Sequence, residues 1–247
     1  MSEASCRPCA ESIRAAAARL RGHVVATPLV GGLLLPGFAH AADVRIKPEL
    51  LQPGGSAWYR GHLHLVLRAM GRPVGLAWAE GAGSSLAAAV AATAGRIPLR
   101  VFVRELPEAG LAAALAHLGA VVERCDDPQV AARAHARSSG AMVLPGLEHP
   151  DIAAGIATIG LELASTLPFD AAVVYVPEGF EAAVGAGLAA GGHGAAVVGV
   201  AQGAANDALG ACLAGCHRLH AGAGSLSVLA AALRHEAGAT VAALLCD

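Results

Sequence analysis

Lysine is almost missing from this chain: Lys47 is the only one in 247 residues. Aromatic residues make up 3% and charged residues 15%, with a net charge of −2. So few charges, nearly balanced, leave no basic face, which argues against nucleic acid or an anionic membrane as a partner. Long runs of Leu, Ile or Phe are also lacking. The 55% apolar content is dominated by alanine, and residues 182–201 are mostly Ala and Gly with one histidine, so no membrane span is expected. The N-terminus lacks the basic, apolar and small-residue zones of a signal peptide. The six cysteines are therefore expected to stay reduced in a cytoplasmic protein.

The chain has short apolar runs alternating with helix-forming stretches. Helices are expected over 9–21, 57–69, 85–94, 107–117, 128–138, 151–165, 181–190, 205–216 and 225–236. Strands are expected over 44–47, 74–79, 99–103, 120–124, 141–144, 171–176, 195–200 and 240–245. Repeated β-then-α order with nearly continuous apolar strands predicts an α/β fold built on mostly parallel sheets. At the centre lies Lys47-Pro-Glu-Leu-Leu-Gln-Pro-Gly-Gly-Ser-Ala-Trp-Tyr-Arg-Gly61. It runs from a strand end through a Pro53-Gly54-Gly55 break into a helix, with Ser56 where an N-cap belongs. The cap hydroxyl and the free N–H groups behind it form a candidate anion site.

This stretch resembles the Schiff-base segment of the fold-type II pyridoxal-phosphate enzymes, especially threonine/serine dehydratases and serine racemases, which reads KxExLQPTGSFKxRG. Lys47, Glu49, Leu51, Gln52, Pro53, Gly55, Ser56, Arg60 and Gly61 match. The resemblance sets Trp58 at the position of the catalytic lysine, and matches Lys47 to a different, upstream lysine. Ala157-Thr-Ile-Gly-Leu-Glu162 is close to the family's GTIGLEL helix, and Thr27-Pro28-Leu29 to its TPL entry. The implied fold is tryptophan synthase β-like and C-terminally shortened. Residues 1–53 and 147–247 are expected to form a larger α/β domain, and 54–146 a smaller one.

The resemblance also marks where the family holds its cofactor. Gly83-Ser84-Ser85 falls on the family's SxGNH loop, where only Gly83 matches; as a strand-to-helix turn it is also a candidate carboxylate or phosphate site. Val176 to Glu181 falls on the tetraglycine phosphate loop, where Gly179 alone is kept and Glu178, Phe180 and Glu181 intrude. Cys246 matches the residue placed near the pyridine nitrogen. From these departures no bound cofactor is expected, and Trp58 is expected to fill the vacated space as a core aromatic. Arg60 is expected to hold a structural carboxylate or a helix terminus. His62 and His64, two residues apart and so on different helix faces, are expected at the surface.

Three functions compete at this stage. The first is a dehydratase-like protein that has lost catalysis, a pseudoenzyme serving as a non-catalytic subunit or regulator in a homodimer or with an active homologue. The second is a binding protein or altered lyase, using the old cleft around Ser56, Arg60 and Ser84 for an amino acid or small carboxylate. The third is a metal or thiol protein. Cys212, Cys216 and His220 repeat at i+4 along a predicted helix, with Cys6 and Cys9 as a further pair, but no standard zinc spacing is met.

Overall fold

The computed structural model describes residues 7–31, 43–69, 74–80, 83–203, 223–235 and 238–246. Its strands are β1 (Asp43–Pro48), β2 (Leu76–Ala79), β3 (Leu99–Val103), β4 (Val121–Arg124), β5 (Met142–Val143), β6 (Val173–Pro177), β7 (Ala196–Val200) and β8 (Thr240–Leu245). Its helices are α1 (Ala10–Leu20), α2 (Trp58–Ala69), α3 (Ser85–Gly95), α4 (Ala109–His117), α5 (Pro128–Ser139), α6 (Pro150–Thr166), α7 (Glu181–Ala190) and α8 (Ala223–Leu233). Among the described residues the predicted order of elements holds. The helix expected over 205–216 lies outside the described residues. The strands over 74–79 and 141–144 are shorter than expected: Val74 is largely exposed ahead of β2, and β5 pairs with β2 over two residues only.

The strands form two four-stranded sheets, in the orders β1-β8-β6-β7 and β4-β3-β2-β5. Every strand pair within them is parallel. Parallel neighbours need a crossover, which is why helices intervene along the chain. Two of the inner strands are buried on both faces: β2 along its whole length, and β8 at every residue after Thr240. That burial is why they read as unbroken apolar runs rather than alternating ones.

Helix α6 is central to the helix packing, with ten of its 17 residues buried. It packs against α1, α2 and α7. A Cβ on Gly160 would run into the carbonyl oxygen of Val184, and one on Gly187 into that of Ala157. The two glycines let the backbones of α6 and α7 touch, so the "TIGLE" glycine is a packing requirement. Helix α2 is enclosed by α1, α3 and α6, and every residue from Tyr59 to Val66 is buried.

That enclosure corrects the expectation for His62 and His64, which are 0% and 2% exposed. Lying on different faces put neither at the surface, because both faces of α2 are covered. His64 is held at both ring nitrogens: Nδ1 donates to the carbonyl of Asp151 (2.8 Å), and Nε2 accepts from Arg19 (2.9 Å). Burial, with Arg19 and Arg68 nearby, outweighs the contacts to Asp151 and pushes its pKa below the usual histidine value. A lowered folded pKa means that the unfolded chain binds the proton more readily. Stability from this site is therefore full above about pH 6.5 and declines as pH falls through that value towards the folded pKa. Urea melts at pH 7.5 and 5.5 should show this loss in the native chain and a smaller one in His64→Gln.

Candidate functional site

Trp58, the first residue of α2, is half-buried. Its indole lies over the bare Cα of Gly83, in the loop leading from β2 to α3, and a Cβ there would collide with the ring. Gly83 has φ +84°, a conformation that suits glycine in any case. On its other sides the indole meets the edge of Phe180 at 5.4 Å, centroid to centroid, and stacks on His62 at 5.7 Å. Phe180 is buried in the turn between β6 and α7. The ring thus joins the loop of one sheet to the loop of the other.

The other sequence candidates near this cluster are engaged in local structure. Ser56 is fully buried, and its Oγ accepts the backbone N–H of Trp58 (3.3 Å). Ser84 caps α3, its Oγ accepting from the N–H of Ala87 (3.2 Å), and Ser85 is the first residue of that helix. Gly179 sits exposed in the turn before α7 with φ +92°, beside an exposed Glu178. Glu181 opens α7 and lays its carboxylate against Gly199 of β7.

Beyond the carboxyl ends of β6, β7 and β8 lies a cavity of about 570 Å³. Pro177, Glu178, Val200, Gln202, Ala223, Gly224 and Cys246 line it. The carboxyl edge of a parallel α/β sheet is the usual place for a ligand crevice. Cys246 is 6% exposed there. Phe180 and Trp58 do not line this cavity, so the structure brings Gly83 and Trp58 together and sets Cys246 apart with Glu178.

Arg60 points elsewhere. Two residues beyond Trp58 on α2, it faces a buried network with Lys47, Glu49 and Glu162. Its Nε donates to Glu49 Oε2 (2.7 Å) and its Nη2 to Glu49 Oε1 (2.9 Å). Both terminal nitrogens also reach the Glu162 carboxylate, at 2.7 and 3.0 Å. Lys47 Nζ donates to Glu162 Oε2 (2.6 Å) and to the carbonyl of Thr27 (2.7 Å), while Thr27 Oγ1 donates to Glu49 (2.6 Å). Burial alone would weaken the guanidinium's charge, but Glu49 and then Glu162 outweigh it and raise the pKa. Two cations and two anions cancel, which is how such charges are tolerated in the interior.

Sequence reasoning matched Lys47, Glu49 and Glu162 to the motifs without seeing them as partners. The available signal was a charge set among apolar neighbours, as in Leu161-Glu162-Leu163. Among the described residues no group of three or more His, Cys, Asp and Glu side chains could hold a metal. Cys6, Cys212, Cys216 and His220 lie outside those residues. No described helix is long and apolar enough to cross a membrane.

Comparison with known proteins agrees with this architecture. The family model described as "Pyridoxal-phosphate dependent enzyme" matches residues 20–247. A Sinorhizobium fredii protein described as "Putative threonine dehydratase" is 31% identical over 187 residues, covering 73% of this chain. The match takes in 54% of that protein, so the chain spans about half the length of this curated relative. The threonine deaminase of T.th. superposes with a TM-score of 0.80 at 22% identity, over 97% of both chains. Serine racemase from Dictyostelium discoideum does so with a TM-score of 0.80 at 14% identity, over 98% of both. These likenesses show the fold-type II α/β fold with parallel sheets.

The family match overturns the expectation that no cofactor goes with this chain, because the family is defined by dependence on pyridoxal phosphate. The departures at single loop positions carried too much weight in that expectation. What the described residues do not fit is attachment through a lysine at position 58. Trp58 stands there over Gly83, and the one lysine is 1% exposed inside the Glu162 ion pair.

Proposed function

We propose, from the premise that this chain belongs to the family of pyridoxal-phosphate dependent enzymes, that it is a threonine dehydratase-like protein that has given up lysine-dependent catalysis. On this reading it works as a non-catalytic partner of a lysine-bearing homologue. The packing of Trp58 against Gly83 and Phe180 carries the proposal. The family's chemistry uses an amine that forms an imine with the cofactor aldehyde and then moves a proton at the substrate α-carbon. An indole N–H only donates a hydrogen bond and can do neither. Lys47 does not replace it, since it is buried with its ammonium donating to the Thr27 carbonyl and to Glu162.

The test is to co-express this chain with a lysine-bearing threonine dehydratase from the same genome. The expected result is a stable mixed complex on size exclusion, with keto-acid production by the partner altered at saturating substrate. Separate elution together with unchanged turnover would remove the partner role. The cavity beyond β6, β7 and β8 supports a second reading, a binding protein for an amino acid or small carboxylate. That reading predicts saturable binding of such a ligand with no mixed complex.

A further inference from the structure

Among the strands that end the two sheets, β7 alone lacks protection. β1 is bridged antiparallel by Val30 at Ile46 and carries the Asp43–Arg45 pair. β4 carries Glu123 and Arg124, and β5 is only two residues long. Charges, shortness and a covering segment are the usual protections of a strand edge. β7 reads Ala-Val-Val-Gly-Val, without a charge, and among the described residues no strand pairs beyond it. Its ladder shows which groups point outward. Ala196 donates its N–H to Ala172 (3.1 Å), and the carbonyl of Val200 accepts from Glu178 (3.1 Å), both on the β6 side. Successive residues of a strand face opposite edges, so the N–H and C=O of Val197 and Gly199 point to the open side. No residue of β7 is buried, and Val198 is 41% exposed. Phe169, 90% exposed, lies against His193, whose Nδ1 accepts the N–H of Ala195 just ahead of the strand.

The charges around this edge define what can join it. At the amino end Asp170 is exposed, two residues before Ala172. At the carboxyl end exposed Glu178 is bonded to Val200 through its N–H, and the Glu181 carboxylate lies against Gly199. No lysine or arginine occurs between Arg137 and Arg218. Arg14 reaches α7 from α1, where it donates to the carbonyl of Ala190 (2.9 Å). Both ends of the edge are therefore acidic. A second copy of β7 laid antiparallel on the first would bring acid onto acid. An apolar segment with a basic residue at each end meets attraction at both, whichever way it runs.

We infer that the β7 edge docks an extended apolar segment of a partner protein, flanked by Lys or Arg, which adds a strand to the sheet. The inference is independent of whether the chain has kept or lost catalysis. The probe is the dye-labelled peptide Lys-Val-Thr-Val-Thr-Val-Arg, titrated against the full-length protein by fluorescence anisotropy. Saturable binding is expected, and added salt should weaken it. The same peptide with Glu at both ends should bind about tenfold more weakly or worse, because repulsion replaces attraction. Val197→Pro removes an outward N–H and leaves the ladder to β6 in place, so it should abolish binding while the melting temperature stays near native. A peptide N-methylated throughout its Val-Thr core cannot donate to an edge, and should fail to bind the native protein. Absence of saturable binding would overturn the proposal. Equal affinity for the Glu-ended or the N-methylated peptide, or native-strength binding by Val197→Pro, would overturn it too.

Discussion

Glu49→Ala is expected to destabilise the protein by about 3–5 kcal/mol, the usual loss when one partner of a buried ion pair is removed. Glu49 is 0% exposed and receives two donors from Arg60 and one from Thr27. Without it, a buried guanidinium and a buried ammonium share the single carboxylate of Glu162, and one cation has no counter-charge. The damage would reach several elements, because the network ties β1, α2, α6 and the segment around Thr27 together. The comparison is Glu123→Ala, which removes the surface pair with Arg100 at 2.8 Å. Exposed pairs contribute about 0–1 kcal/mol, so that variant should melt close to the native chain. Equal urea midpoints for Glu49→Ala and Glu123→Ala would mean that the network does not anchor the fold.

Restoring the missing amine alone should not restore the chemistry. Trp58→Lys, supplied with pyridoxal phosphate, is expected to produce no keto acid from L-threonine or L-serine above the background of the native chain. The surroundings have adapted to the indole: Gly83 lies under it, Phe180 meets it edge-on and His62 stacks on it. An ammonium in that half-buried, aromatic setting would lose hydration, and the indole's packing would go with the substitution. Ser84 would still stand where the family pattern has asparagine, and Glu178 and Glu181 would still flank the turn after β6. The variant should also melt below the native chain, since removing a buried aromatic costs about 3 kcal/mol or more, less where the ring is half-exposed as here. Clear turnover by Trp58→Lys would show that the rest of the site is still catalytic in layout, and that one substitution separates it from an enzyme.

The strands and helices were legible because their residues obey local rules. The β-branched runs of β3 and β6 and the Gly140 that ends α5 are visible without tertiary knowledge. Some strand ends were misplaced, since at Val74 and Ala141 an apolar residue continues the pattern past the last ladder hydrogen bond. The buried network was legible only in fragments. Lys47, Glu49, Arg60 and Glu162 span 115 positions, and no periodicity joins a lysine to a glutamate that far away. His62 and His64 were misread for a related reason. Polar type and two-residue spacing describe one helix, but burial on both faces comes from α1, α3 and α6 closing round it. The cavity lined by Leu20, Arg60 and Glu162 was not legible at all, since those residues are far apart in the chain and meet only in the fold.

The claim that lysine-dependent chemistry is absent is tested most directly by incubating the native protein with pyridoxal phosphate, reducing it with borohydride and mapping the peptides by mass spectrometry. Lys47 is the only lysine to watch, and the Glu162 and Thr27 contacts hold it in the interior. The expected result is a Lys47 peptide free of pyridoxyl label, with no keto acid formed from threonine before reduction. One pyridoxyl group per chain on Lys47, accompanied by turnover, would contradict the account.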